Sequence, residues 1–355
     1  MTIDRHVVYR WGRIGLAVAL VVGIFAAVFP RIATYSAVWR SLTRLSGSEL
    51  LLVAAVALFN LLTYWLQSVA AMPGLTLVQA AVVTQTTTTV ANTMPGGGAI
   101  AVGVGFAMFR SWGFTDSEVA LYTLVTGVWN VFAKLGMPVV ALALLAVGGR
   151  ATGALVTASL VGVGTLLVAI VLFALSLRSE RYARAIGDRL GTVVSALLRP
   201  FRRGPVRGWD RAAVDFRRQT IELLRRRWLA LTGATLLSHV TLYLVLLVCL
   251  RVLGVPESDV SWIEALGVFA FGRLVTALPV TPGGLGVVEL AYVGGLVVAG
   301  GDRADVVAAV LLFRAVTYAL QIPLGAIAYP LAGHVGRRTS APEYGGRRRA
   351  SAAAG

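Results

Sequence analysis

Two apolar stretches, residues 75–112 and 261–300, are each broken near the centre by a proline–glycine cluster, and they constrain this chain more than any other feature. The first carries Pro95-Gly96-Gly97-Gly98 and the second Pro282-Gly283-Gly284-Leu285-Gly286. Proline and glycine stop a helix and free backbone groups that hydrocarbon cannot satisfy. At membrane depth such backbone persists only where it is buried in protein or lines a wet cavity. Both stretches therefore read as re-entrant helical hairpins, or as pairs of short helices meeting at a loop.

The membrane setting follows from composition. Apolar residues make up 57% of the 355 and charged residues only 14%, and the mean hydropathy is +0.79. Soluble domains hold about 45–50% apolar and about 25% charged residues, so too few charges exist here to cover a water-facing surface. Candidate spans are 14–29, 49–71, 116–148, 152–177, 228–250 and 304–330, most of them near the roughly 20 residues a crossing needs. Span 14–29 follows Arg5, Arg10 and Arg13 but ends at Pro30 without a small-x-small cleavage site, so it reads as an uncleaved first helix. Lys134, Gly136 and Pro138 interrupt 116–148, which predicts one helix of about 32 residues kinked at Pro138, or two shorter pieces. The expectation is an all-α polytopic protein with about six full spans plus two hairpins, or eight or more helices.

The net charge is +16, and Lys134 is the sole lysine among 32 basic residues. Arginines crowd into residues 1–13, 178–227 and 331–355, the pattern of cytoplasmic segments flanking apolar spans. No zinc-finger, RRM or basic-zipper pattern points to nucleic acid. A hairpin returns the chain to the side it entered from, so all three basic segments fall on one side. Both termini and loop 178–227 are expected in the cytoplasm of a multi-pass plasma-membrane protein, with 30–48, 148–151 and 251–260 outside. In loop 178–227, Trp209, Phe216, Ile221 and Leu224 lie among arginines. A basic amphipathic helix of this kind suits anionic headgroups at the cytoplasmic face, and the same charges would also fix orientation.

The order of spans and hairpins also contains a repeat. Unit one, about 49–148, is a span, the Pro95 hairpin and a span containing Pro138. Unit two, about 228–330, is a span, the Pro282 hairpin and a span containing Pro323. The first hairpin is entered from inside and the second from outside, which makes the repeat inverted, as in secondary transporters. Residues 1–335 thus form one transmembrane domain joined through 152–177 and 178–227, followed by a basic, disordered tail at 336–355.

Enzyme signals are weak. HExxH, GxSxG, Walker A and GxGxxG are all absent, and His6, His239 and His334 lie far apart in the topology. With Cys249 alone, a disulfide framework, an iron–sulfur site and a CxxC zinc site are excluded. Neither a metal nor a cofactor is expected. Asp302 and Asp305 read as a solvated helix start.

Ionisable groups inside spans are functional or paired by default. Arg273 and Glu289 lie on opposing arms of the second hairpin at similar distances from Pro282, which suits an ion pair. Arg314, near the centre of the last span, serves either as a second partner for Glu289 or as a bidentate ligand for a lipid phosphate. Lys134 precedes the Pro138 break and either snorkels or faces substrate. Arg110 closes the first hairpin as an anchor or a ligand. His239 reads as a helix–helix hydrogen-bond donor. Gln85, Thr86 to Thr89, Asn92 and Thr93 either line a wet path or satisfy the hairpin's own backbone.

Pro282-Gly283-Gly284-Leu285-Gly286-Val287-Val288-Glu289, with Arg314 in the next span, resembles the lysylphosphatidylglycerol synthase transmembrane family, the flippase-like domain also found in the multiple peptide resistance factor. Pro95-Gly96-Gly97-Gly98 with Arg110-Ser111-Trp112-Gly113 resembles that family's first-half motif. The likeness runs from about residue 10 to 332. It implies a flippase-like role, moving an aminoacylated or otherwise modified phospholipid between leaflets, with Arg314, Glu289, Arg273, Lys134, Arg110 and Asn92 as candidate substrate contacts. No stretch here could fold as the soluble aminoacyl-transferase domain of full-length synthases, so synthase activity is not carried over. An ion-coupled small-solute transporter and a membrane enzyme on a lipid-linked substrate stay open as alternatives.

Overall fold

The computed structural model describes residues 35–94, 96–147, 153–185, 188–189, 192, 209–276, 281 and 284–336. Span 14–29, Pro95, Pro282, Gly283, the centre of loop 178–227 and the tail beyond 336 lie outside the described residues. The described residues are helical, with no strand among them.

In chain order the helices are α1 (Tyr35–Thr43), α2 (Gly47–Ala71), α3 (Leu77–Thr93), α4 (Gly97–Ser111), α5 (Asp116–Val147) and α6 (Gly153–Arg178), then α7 (Trp209–Val252), α8 (Trp262–Val275), α9 (Val287–Val298), α10 (Arg303–Arg314), a π turn (Ala315–Ala319) and α11 (Gln321–Leu331). Four stretches are long and apolar enough to cross a membrane: α2, α5, residues 213–252 of α7, and α10 through α11. Large apolar side chains face outward along them and along α6, among them Leu51, Phe59, Leu124, Val140, Leu167 and Leu172. Such a surface is stable against lipid and unstable against water.

The two broken stretches fold as hairpins. Ser261 caps α8 in a capping box with Glu264, and Thr76 caps α3 in one with Gln79. At 12–17 residues, α3, α4, α8 and α9 are each shorter than a full crossing. At the first tip Gly96 sits at φ 68, in the left-handed region that a side chain disfavours. A Cβ on the following Gly97 would meet the Val90 carbonyl oxygen, which shows how closely α4 folds back on α3. In the second hairpin Gly272 lies under the Tyr292 ring and Gly295 against Val268, so α8 and α9 also run antiparallel.

Several expectations are corrected. The span expected at 228–250 begins at Trp209, because the basic segment before it is helical and continuous with the membrane portion. The outer loop expected at 30–48 contains α1, anchored where Ser41 Oγ donates to Asp305 at 2.6 Å. Of the two readings of 116–148, the single helix is the one that forms: α5 runs for 32 residues with Pro138 inside it. The last span is interrupted instead, at the π turn, where the Leu320 N–H reaches back to the Ala315 carbonyl. Pro323 supplies the cause. Its ring crowds the Ala319 carbonyl and its missing N–H leaves that group without its usual partner, so the preceding turn widens.

Packing follows a crossed pattern. The opening helices of the two units, α2 and α7, pack together, while α3 lies on α11 and α8 lies on α5. Asn60 and Thr63 of α2 bond Thr241 of α7, and further along α2 Gln67 bonds Thr235, so the pair is antiparallel. An inverted pair of units would require this antiparallel packing of their opening helices. The largest core joins α7, α8, α9 and α10 through Leu246, Cys249, Phe269, Tyr292 and Phe313. The rings of Phe269 and Tyr292 are parallel within 3° at 6.2 Å.

Candidate functional site

A cavity of about 240 Å³ opens where α2, α3, α8, α9 and the α10–α11 span meet. Its polar lining comes from both halves of the chain: Asn60 and Tyr64 from α2, Thr84, Gln85 and Thr88 from α3, Arg273 and Thr276 from α8, and Arg314, Thr317 and Gln321 around the π turn. π turns recur at functional sites because they re-aim side chains within an otherwise regular helix. Here the turn sets Arg314, Thr317 and Gln321 toward the same space.

The strongest interaction at the cavity wall is an ion pair. Arg314 Nε donates to Glu289 Oε1 at 2.6 Å, and Glu289 is only 1% exposed. The guanidinium also lies over the Tyr318 ring, 4.4 Å from its centre. Tyr318 in turn donates its hydroxyl to the Asn92 carbonyl at 2.8 Å, tying the π turn to the end of α3. The Arg314 fork is therefore held flat between a carboxylate and a ring, oriented rather than loose.

The expected Arg273–Glu289 pair does not form. Glu289 bonds Arg314 instead, and Arg273 faces the cavity with its buried Nε–H lacking a hydrogen-bond partner. Similar distances from the hairpin tip gave the two residues similar depth, but the arms rotate them to different faces. Other buried polar atoms also stand without partners here: Glu289 Oε2, Gln85 Nε2 and Gln321 Oε1. Each costs free energy in a dry protein, and a ligand or water that bonded it would relieve that cost.

The remaining sequence candidates scatter. Asn92 takes part through its backbone carbonyl. Arg110 sits outside the cavity in an exposed ion pair with Asp116 at 3.0 Å. Lys134 is half-buried on α5 and does not line the cavity. His239 is buried on α7, with Nδ1 at 3.0 Å from the Thr235 carbonyl within its own helix. Asp302 caps α10, accepting from the Ala304 and Asp305 amides. Thr89 donates to the Gln321 carbonyl, where Gly325 lets α11 approach α3.

Sequence reasoning missed Asn60, Tyr64, Tyr318 and Gln321. One signal was available for α2: Asn60, Thr63 and Gln67 recur at helical spacing inside an apolar span, marking one polar stripe. Tyr318 and Gln321 carried no such mark, because the π turn alters the face on which they emerge.

Antiparallel short-armed hairpins, crossing spans and a buried arginine–glutamate pair at an internal cavity define a polytopic helical membrane protein of the broken-helix kind. The family model described as the lysylphosphatidylglycerol synthase TM region matches residues 14–325, and the chain belongs to that family. No curated protein matches it.

Proposed function

We propose that this protein moves a phospholipid, or another lipid-linked anion, between membrane leaflets, and that the cavity between the hairpins receives the headgroup phosphate. One observation carries the reading: two arginines, Arg273 and Arg314, face one cavity, and among the described residues Glu289 is the one carboxylate seen bound to either of them. Buried cationic charge without a counter-ion is expensive in hydrocarbon and calls for an anionic ligand. The family assignment favours a lipid-related ligand. The protein acts as a transporter rather than an enzyme. It sits in the plasma membrane with both termini and the Arg-rich segment before α7 in the cytoplasm, where that segment meets anionic headgroups.

A cavity of about 240 Å³ accommodates a headgroup and leaves the acyl chains in the bilayer. The same small volume favours a second reading, a transporter for a small anionic solute. Mass spectrometry of lipids retained after gentle purification separates the two. Enrichment of a phospholipid or polyprenyl lipid over the bulk membrane supports the first reading. No enrichment, together with solute binding, supports the second.

A further inference from the structure

Glu289 is a buried carboxylate with one oxygen engaged and one vacant. Oε1 accepts from Arg314 at 2.6 Å, while Oε2 is buried without a hydrogen-bond partner. No aspartate or glutamate lines the cavity itself among the described residues. The groups facing this carboxylate are Arg314 from α10, Tyr318 from the π turn and Tyr292 from its own helix, and Arg273 from α8 and Tyr64 from α2 lie within electrostatic reach of that Tyr292. Behind Arg273, Lys134 on α5 and His239 on α7 lie within its electrostatic reach. An anion entering the cavity meets Arg273 first, since Arg314 is already neutralised by Glu289.

We propose that anion binding in this cavity is coupled to uptake of one proton by Glu289: the anion takes over Arg314, and the carboxylate it displaces is protonated at Oε2. Resting on the phosphate-binding reading above, this adds its coupling ion. The balance is simple. Before binding, Glu289 and Arg314 cancel each other's charge. Afterwards Arg314 and the anion cancel, and a proton from water neutralises the carboxylate. No covalent bond other than the new O–H forms. Without that proton, a carboxylate buried to 1% exposure would lose its guanidinium to the anion and stand charged with neither oxygen bonded, which disfavours leaving it ionised. Stacking on Tyr318 lets the Arg314 fork change partners while the side chain stays in place.

Thermodynamic linkage makes the coupling measurable. The protein in nanodiscs is titrated calorimetrically with glycerophosphoglycerol, a phosphodiester that stays singly charged from pH 5.5 to 7.5, in two buffers of different ionisation heat. One proton should be absorbed per anion bound, and affinity should weaken about tenfold per unit rise in pH where uptake is complete. Glu289→Gln, which imitates the protonated side chain, should bind with no proton uptake and a flat pH profile. Methanesulfonate is the small-solute arm. Proton uptake with methanesulfonate and no binding of glycerophosphoglycerol would overturn the lipid reading and leave the coupling standing. Binding of glycerophosphoglycerol with equal heats in both buffers and no pH dependence would overturn the coupling and leave the lipid site standing. Failure of both anions to bind would overturn both. Should Glu289→Gln fail to fold, the two-buffer comparison on the unaltered protein still decides.

Discussion

Asn60 on α2 donates one amide hydrogen to the Ser238 carbonyl at 2.9 Å and the other to the Thr241 hydroxyl at 2.8 Å, joining the opening helices of the two units across a fully buried seam. Thr63 and Gln67 extend the same seam through Thr241 and Thr235. Between membrane helices, where burial against lipid gives little drive, such bonds and close packing provide cohesion.

Asn60→Leu should therefore destabilise the protein by about 1 kcal/mol. Adding Thr241→Val should cost less than the sum of the single changes, because both act on one bond. Thermal unfolding in detergent checks this, and strict additivity would mean that the seam is not cooperative.

Gly325 allows α11 to lie against α3, where a Cβ would meet the Gln85 carbonyl and the Thr89 side chain. Gly325→Ala should cost about 1–3 kcal/mol by forcing these helices apart. Gly127→Ala on α5, where a Cβ meets nothing within 4 Å, should be neutral or raise the unfolding midpoint. Equal effects at the two positions would contradict the close approach.

Much of this fold was legible in the sequence, and the reason is physical. Span positions follow from the length of hydrocarbon a helix must cross, and the hairpins follow from glycine and proline that no membrane helix tolerates without cover. Glu289 and Arg314 stood out because ionised groups are rare at such positions. The choice of Arg314 over Arg273 as the partner of Glu289 was not legible, since depth can be counted along a helix but rotation depends on tertiary packing. Pro138 and Pro323 make the same point: equivalent prolines, one inside a continuous helix and one next to a π turn. Arg110 looked like a site residue because it lies near a motif, yet its side chain is 62% exposed beside Asp116.

The Glu289–Arg314 pair should respond asymmetrically to substitution. Glu289→Ala leaves the arginine without its carboxylate and should cost about 3–5 kcal/mol, seen as lower yield and a lower midpoint. Arg314→Lys should keep the fold and weaken transport about tenfold, about 1.4 kcal/mol, because a point charge cannot reproduce the planar fork. If the pair were scaffolding alone, exchanging the two residues would restore folding and transport together.

Arg273 should behave in the opposite sense. Its buried Nε–H has no partner, so Arg273→Gln removes an uncompensated charge and should leave stability unchanged or higher while weakening anion binding. A large loss of stability would mean that the guanidinium is structurally required.

Orientation is testable because Cys249, the sole cysteine, is buried. With an impermeant thiol reagent on intact cells, Ser258→Cys in the exposed α7–α8 connection should label, and Arg184→Cys should label only after permeabilisation. The reverse pattern would invert the topology.

The most direct test of the central claim is leaflet exchange in sealed proteoliposomes. Fluorescent phosphatidylglycerol is followed by bleaching from the outer face, with the unaltered protein, Arg314→Lys and Arg273→Gln compared at matched reconstitution. The account predicts that the protein accelerates exchange over protein-free vesicles and that each variant, with its unfolding midpoint intact, slows exchange about tenfold or more. Exchange no faster than in protein-free vesicles, or full rates in both variants, would contradict it.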